Sequence, residues 1–146
     1  MLIKSSAFEN FSNIPEKFTC DGENISPPLR FFDIPQGTEE LVLIVDDPDA
    51  PGGDWVHWLV YGIDPKTDGI EEGAVPNNSI QGKNTREKEA YGGPCPPSST
   101  HHYFFKLYAI NKRIESTKVM NKTDLENAIK GVILEKATLI GLYKRK

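Results

Sequence analysis

Long hydrophobic runs are missing from this chain of 146 residues. No stretch approaches the roughly 20 apolar residues that cross a bilayer, which excludes stable membrane insertion by a helix. The opening segment Met1-Leu2-Ile3-Lys4-Ser5-Ser6 carries no signal-peptide apolar region, so a cytoplasmic location is expected. Cysteine is scarce: the 2 residues, Cys20 and Cys95, lie outside any Cys-x-x-Cys motif. Two cysteines make no disulfide framework, and a reducing compartment keeps such side chains as thiols; one Cys20–Cys95 bridge stays open if their loops meet. Excess positive charge is also lacking. The 17 Lys and Arg are outnumbered by 21 Asp and Glu, for a net charge of -4, which argues against a nucleic-acid partner held across the whole surface. The basic tail Lys144-Arg145-Lys146 reads as a solvated terminus. Repeats, low-complexity tracts and linkers are absent too. What is left is one domain over residues 1–146, with ordinary apolar (38%) and charged (26%) fractions and enough chain to bury a core. Nothing in the sequence fixes its oligomeric state.

What is present is a series of short apolar runs separated by clusters of glycine and proline, a pattern that predicts many strands joined by loops. Candidate strands are Leu2 to Ala7, Leu29 to Phe32, Glu40 to Val45, Trp55 to Ile63, Tyr103 to Ile110 and Ala137 to Tyr143. The segment Gly69 to Pro97 is long, polar and rich in Gly, Pro and Asn, and a loop of that length in a compact domain tends to be functional. One helix is signalled near the C-terminus. Thr123-Asp124-Leu125-Glu126 fits a capping box, and Leu125, Ala128, Ile129, Val132 and Ile133 recur at helical spacing as a packing face. Gly131 weakens that helix by on the order of 1 kcal/mol relative to alanine.

The most informative stretch is Asp46-Asp47-Pro48-Asp49-Ala50-Pro51. It follows the buried run Leu41-Val42-Leu43-Ile44-Val45, and its prolines stiffen a turn at the strand end. Such a turn holds a carboxylate in one orientation. A histidine lies inside the next strand, Trp55-Val56-His57-Trp58-Leu59-Val60-Tyr61, and two more open His101-His102-Tyr103-Phe104-Phe105. Side chains alternate along a strand. His101, Tyr103, Phe105 and Leu107 therefore share one face, and His102, Phe104 and Lys106 take the other. By the same rule His57 shares a face with Trp55, Leu59 and Tyr61, while Trp55 and Trp58 face opposite ways. A polar group on an apolar face needs a partner, and Asp47 is the candidate.

These residues resemble the phosphatidylethanolamine-binding protein family, in its prokaryotic Raf-kinase-inhibitor-like (YbhB/YbcL-like) branch. The likeness runs nearly end to end. It covers Phe18-Thr19-Cys20-Asp21-Gly22-Glu23-Asn24-Ile25-Ser26-Pro27-Pro28-Leu29, Asp47-Pro48-Asp49-Ala50-Pro51, His57-Trp58-Leu59-Val60, Tyr91-Gly92-Gly93-Pro94-Cys95-Pro96-Pro97, His101-His102-Tyr103 and the strand Ala137 to Tyr143. A lone DPDAP is weak, but these blocks in the family's order are specific. The resemblance implies a mainly β fold: an antiparallel Greek-key β-sandwich with a few short helices. It also implies a small anion-accepting cavity lined by Asp47, His57, Gly93, Pro94, His101 and Tyr103, with Cys95-Pro96-Pro97 as the alternative to Gly93-Pro94. His102 stands where the family usually has arginine.

The expectation is a non-enzymatic binding protein without cofactor. Its ligand would be a small anion: phosphate, a phospholipid head group or another phosphorylated molecule. In that reading His57 and His101 donate to the anion, Asp47 accepts from one imidazole, backbone N–H groups at Gly92-Gly93 complete an anion nest, and Tyr103 adds a hydroxyl. Pro48 and Pro94 are candidates for cis peptide bonds. Rival readings are a protein-interaction module that inhibits a kinase or protease, a metal site at Asp47, His57, Cys95 and His101, a hydrolytic triad using Ser98 or Ser99, and core histidines with no ligand at all.

Overall fold

The computed structural model describes residues 1–146. In chain order the elements are β1 (Leu2–Lys4), β2 (Ser12–Asn13), a 3-10 turn (Glu16–Phe18), β3 (Leu29–Phe32), β4 (Glu40–Asp47), β5 (Trp55–Ile63), β6 (Gly69–Ile70), β7 (Ile80–Gln81), β8 (His101–Ile110), α1 (Lys122–Ile129) and β9 (Ile133–Tyr143). The unbroken apolar run in β4 has a simple cause: every residue of that strand is buried, so both of its faces are apolar. One face joins Leu41, Leu43 and Val45 to Trp58, Tyr103, Phe105 and Leu107 and to Ile3, Leu29, Phe31 and Ile70. The other joins Val42 and Ile44 to Leu59, Tyr61, Ile110 and the helix residues Leu125 and Ile129.

The first set is the core of a two-sheet sandwich. A three-stranded sheet, ordered β1-β3-β6, covers a six-stranded sheet ordered β2-β9-β8-β4-β5-β7. All ladders are antiparallel except the short β2–β9 pairing. Within the large sheet β4, β5 and β7 follow one another, and β8 then returns to lie beside β4, which is a Greek key. The return connection spans residues 82–100 and is laced to the edge of β5 by Gly82 N–H to Leu59 O, Thr85 N–H to Val56 O and Gly92 N–H to His57 O. The segment singled out by its composition is thus the long crossover of the fold.

Several sequence expectations shift by a few residues. β4 and β8 extend to Asp47 and back to His101, because Asp46 and Asp47 still pair with Val56 and Trp55, and His101 with Tyr143. β1 is shorter than expected, and the two-residue strands β2, β6 and β7 carry no periodic signal. The helix starts earlier: Asn121 rather than Thr123 is its N-cap, forming the capping box with Asp124. It also ends earlier, at Ile129, and Gly131 at φ 83° turns the chain into β9 instead of weakening a helix. Ile133, expected on the helix face, is exposed in β9. All peptide bonds are trans, including those before Pro48 and Pro94. Cys20 and Cys95 are joined in a disulfide, the pairing that the sequence left open. No helix is long and apolar enough to cross a membrane.

Candidate binding cavity

The site begins with a defect in β5. Val45 pairs with Trp58, yet its neighbour Asp46 pairs with Val56. His57 is the extra residue of a β-bulge, the device that re-aims a side chain next to a site. Beyond the bulge Leu59 and Tyr61 belong to the helix-side cluster. His57 instead stands edge-on to Tyr103, 5.2 Å between ring centroids, on the sandwich side. The face expected from strict alternation, His57 with Leu59 and Tyr61, is therefore wrong. For the same reason Trp58, in the sandwich core, and Trp55, in the cavity wall, are not on opposite faces.

The sandwich end at this point holds a cavity of about 480 Å³, closed by the turn after β4, the start of β5, the return connection and the start of β8. Asp47, His57, Gly93, His101 and Tyr103 line it, together with Cys95, Pro96 and Pro97. Pro94 is buried behind the wall, its carbonyl accepting from Cys20 N–H at 3.1 Å. Chain segments far apart in sequence thus converge: His101 Nδ1 lies 2.6 Å from Asp47 Oδ2, and the His101 and Tyr103 rings stack at 6.4 Å. A second hollow of about 500 Å³ lies at the other end of β4, beside Glu40, with Glu39, Asp64, Lys66 and Arg113 in its lining.

Hydrogen bonds decide which groups are still available. Both oxygens of Asp47 are engaged: Oδ1 accepts from Asp49 N–H at 2.8 Å and Oδ2 from His101. It does not reach His57. That ring is held by the Gly92 carbonyl, 2.6 Å from Nδ1, a consequence of the bulge that swings it toward the return connection. Burial pushes the His57 pKa below its usual value, outweighing the Gly92 carbonyl and the Asp47 and Asp46 charges, which act the other way. The anion nest expected at Gly92-Gly93 is not there. Gly92 N–H is spent on His57 O and Gly93 N–H on Asn24 Oδ1 at 2.8 Å. Gly93 is required for packing, since a Cβ would sit 2.4 Å from Phe18 O.

On the three site residues His57, His101 and Tyr103, the atoms without a protein partner are Nε2 of each imidazole and the Tyr103 hydroxyl. Tyr103 is 1% exposed. Burial, with Asp47 and Asp49 nearby, drives its pKa up, so the phenol remains a neutral hydroxyl. His102 points away, to Asp49 Oδ2 at 2.7 Å, and this pairing lowers the Asp49 pKa. The metal reading loses its thiolate because Cys95 is in the disulfide, and no cluster of three metal-binding side chains forms. Ser98 and Ser99 are exposed and hydrogen-bond to neither histidine that lines the cavity.

Sequence reasoning passed over the supports of the wall. Asn84 is buried, donates to Ala90 O at 2.9 Å and accepts from the N–H groups of Arg86 and Lys88. It thereby sets the loop that brings Arg86 and Lys88 to the cavity, with Arg86 6.0 Å from the Trp55 ring. Tyr91 fixes the same connection through its hydroxyl bond to Phe18 O at 2.7 Å. Only the length and composition of the segment pointed there.

A family profile described as "Phosphatidylethanolamine-binding protein" matches residues 4–144. Among relatives, a UPF0098 protein of Methanothermobacter thermautotrophicus is 45% identical, covering 99% of each chain, and one from Chlamydia pneumoniae is 40% identical with the same coverage. The crystal structure of a phosphatidylethanolamine-binding protein homolog from Chlamydia trachomatis, CT736, superposes with a TM-score of 0.95 at 39% identity, over 99% of this chain and 97% of that one. YbcL of E. coli gives 0.92 at 25% identity, over 99% and 98%. The chain belongs to the phosphatidylethanolamine-binding protein family.

Proposed function

We propose that this protein is a non-enzymatic binding protein whose cavity takes a small oxyanion, either phosphate or the phosphoryl group of a larger ligand. Family membership supports a binding role. The observation that carries the reading is the Tyr103 hydroxyl, buried beside an open cavity with nothing to bond to. A buried unpaired hydroxyl costs roughly 1–3 kcal/mol, and an oxyanion oxygen removes that cost. Two unpartnered imidazole nitrogens on the same wall supply further contacts. The volume lies within the usual range for small-molecule sites.

The absence of an activated nucleophile supports the non-enzymatic part. Both histidines spend Nδ1 on structural bonds, Cys95 is oxidised, and the nearby serines lie outside hydrogen-bond reach of either ring. A cytoplasmic location stays part of the proposal. Disulfides are rare there outside hyperthermophiles, so the redox state of Cys20 and Cys95 in cells tests that point. Calorimetric titration with inorganic phosphate and with phosphoethanolamine tests the binding claim. Saturable binding is expected for both, and no binding of either at millimolar concentration would refute it.

A further inference from the structure

The cavity holds a hydrogen-bond code that constrains the ligand's own protonation. A carbonyl oxygen only accepts, so the 2.6 Å contact between His57 Nδ1 and Gly92 O assigns the proton to Nδ1. Gly92 N–H bonds back to His57 O at 2.9 Å, which locks ring and loop together. In the neutral ring Nε2 is then a bare lone pair, with no protein donor opposite it. The neighbouring Tyr103 hydroxyl, also unpartnered, is free to rotate and donate. His57 and Tyr103 therefore offer one acceptor and one donor side by side, with His101 Nε2 a third unpartnered atom on the same wall.

The groups facing His57 come from each surrounding element. Asp46 and Asp47 on β4 favour an imidazolium; Arg86 on the return connection opposes it, and burial opposes it most strongly. Tyr103 on β8 is neutral, and the partner of His101 is Asp47, not His57. Lys88 adds a further positive charge to the lining. The balance of these groups favours the neutral ring in the free protein.

We propose that the cavity selects oxyanions that carry an ionisable hydroxyl, such as hydrogen phosphate and phosphate monoesters, over those with none, such as sulfate and phosphate diesters. The ligand's P–O–H donates to His57 Nε2 while a P–O⁻ oxygen accepts from the Tyr103 hydroxyl. A monoester has its second pKa near 6, so about half of it carries this proton at pH 6 and only about a tenth at pH 7. Sulfate is fully deprotonated there and sets an oxygen lone pair against the Nε2 lone pair. A phosphodiester, the linkage of a membrane phospholipid head group, has no hydroxyl to give. The inference rests on the oxyanion reading above and narrows it to free phosphate or phosphomonoester ligands.

Matched probes test it: phosphate against sulfate, and methyl phosphate against dimethyl phosphate, titrated into the wild-type protein near pH 6, where the monoesters still carry a P–O–H. One unmade hydrogen bond is worth about tenfold in affinity, so the first member of each pair should bind about tenfold tighter or more. Sulfate should gain on phosphate as the pH is lowered, because His57 then takes its proton from water. His57→Gln, whose amide can donate, should lose the discrimination. Ring ¹⁵N spectra of the free wild-type protein should show Nδ1 protonated and Nε2 bare, a readout that needs no variant to fold. Equal affinity within both pairs, or a proton on Nε2, overturns this inference and leaves the oxyanion site standing. Failure of every probe to bind removes both.

Discussion

Asp46 and Asp47 are adjacent on β4, almost equally buried at 3% and 4% side-chain exposure, and point to opposite faces of one sheet. Asp46 faces the helix side and is filled with cations: Lys106 Nζ at 2.7 Å and Lys122 Nζ at 3.0 Å. Lys122 also bonds Asp54. Burial works against the charge on Lys122, but the bonds to Asp54 and Asp46 outweigh it and hold its pKa above the usual lysine range. Asp47 faces the sandwich side and orients His101, in a setting where Tyr103 and two imidazole nitrogens are left unbonded. Burial is alike at the two carboxylates, but Asp46 is paired with two ammonium groups and Asp47 with one imidazole. Unspent hydrogen-bonding capacity also differs, and that separates a carboxylate closed off by lysines from one that stands in the proposed binding site.

The sharpest way to break this contrast is Asp46→Ala. It removes the carboxylate partner of the largely buried Lys106 ammonium and leaves Lys122 held by Asp54, and the loss of one partner from a buried pair costs about 3–5 kcal/mol. Urea unfolding should show a loss of that size, with phosphate affinity unchanged in the folded protein. Removing the Cys20–Cys95 bridge comes next. The disulfide ties the return connection to the segment after the 3-10 turn, and its loss should cost about 2–4 kcal/mol. Unlike Asp46→Ala, it should also weaken phosphate, since Cys95 and Cys20 line the cavity. Tyr103→Phe reverses the signs. Deleting an unpaired buried hydroxyl should leave the protein as stable or slightly more so, while phosphate binding weakens by about 1 kcal/mol. A destabilised Tyr103→Phe would mean the hydroxyl has a protein partner after all.

The smallest effect is the pH dependence of folding. The His57 pKa is lowered in the folded state from an ordinary value of 6.5, so between the two values the unfolded chain binds more protons. The contribution is fully present above about pH 6.5 and is lost as the pH falls through the depressed folded value. Chemical denaturation across that window should show stability dropping with acid, and His57→Gln should flatten the slope. A slope of the opposite sign would assign His57 a charged resting state.

The parts of this contrast that were legible in the sequence are those that follow strand periodicity. The unalternating run of β4 and the alternation from His101 through Leu107 placed Tyr103 with His101 and turned His102 and Lys106 away. The bulge at His57 was not legible. No glycine or proline marks it, and one extra residue flips every face assignment beyond it. That single slip misassigned the partner of His57. The capping-box pattern at Thr123/Glu126 drew the helix start two residues too late, since Asn121 and Asp124 form the cap. That cap brings Lys122 to Asp46, a tertiary contact that local pattern cannot contain. The pairing of Cys20 with Cys95 depends on two loops meeting across 75 residues, and the return connection that joins them was visible only as an unusually long polar segment.

The most direct test of the central claim is a phosphate titration followed through the ring nitrogens of His57 and His101 in long-range ¹H–¹⁵N spectra. The account predicts saturable shifts at Nε2 of both rings, with the His102 ring, paired to Asp49, left in place. Unmoved Nε2 signals at millimolar phosphate would contradict it.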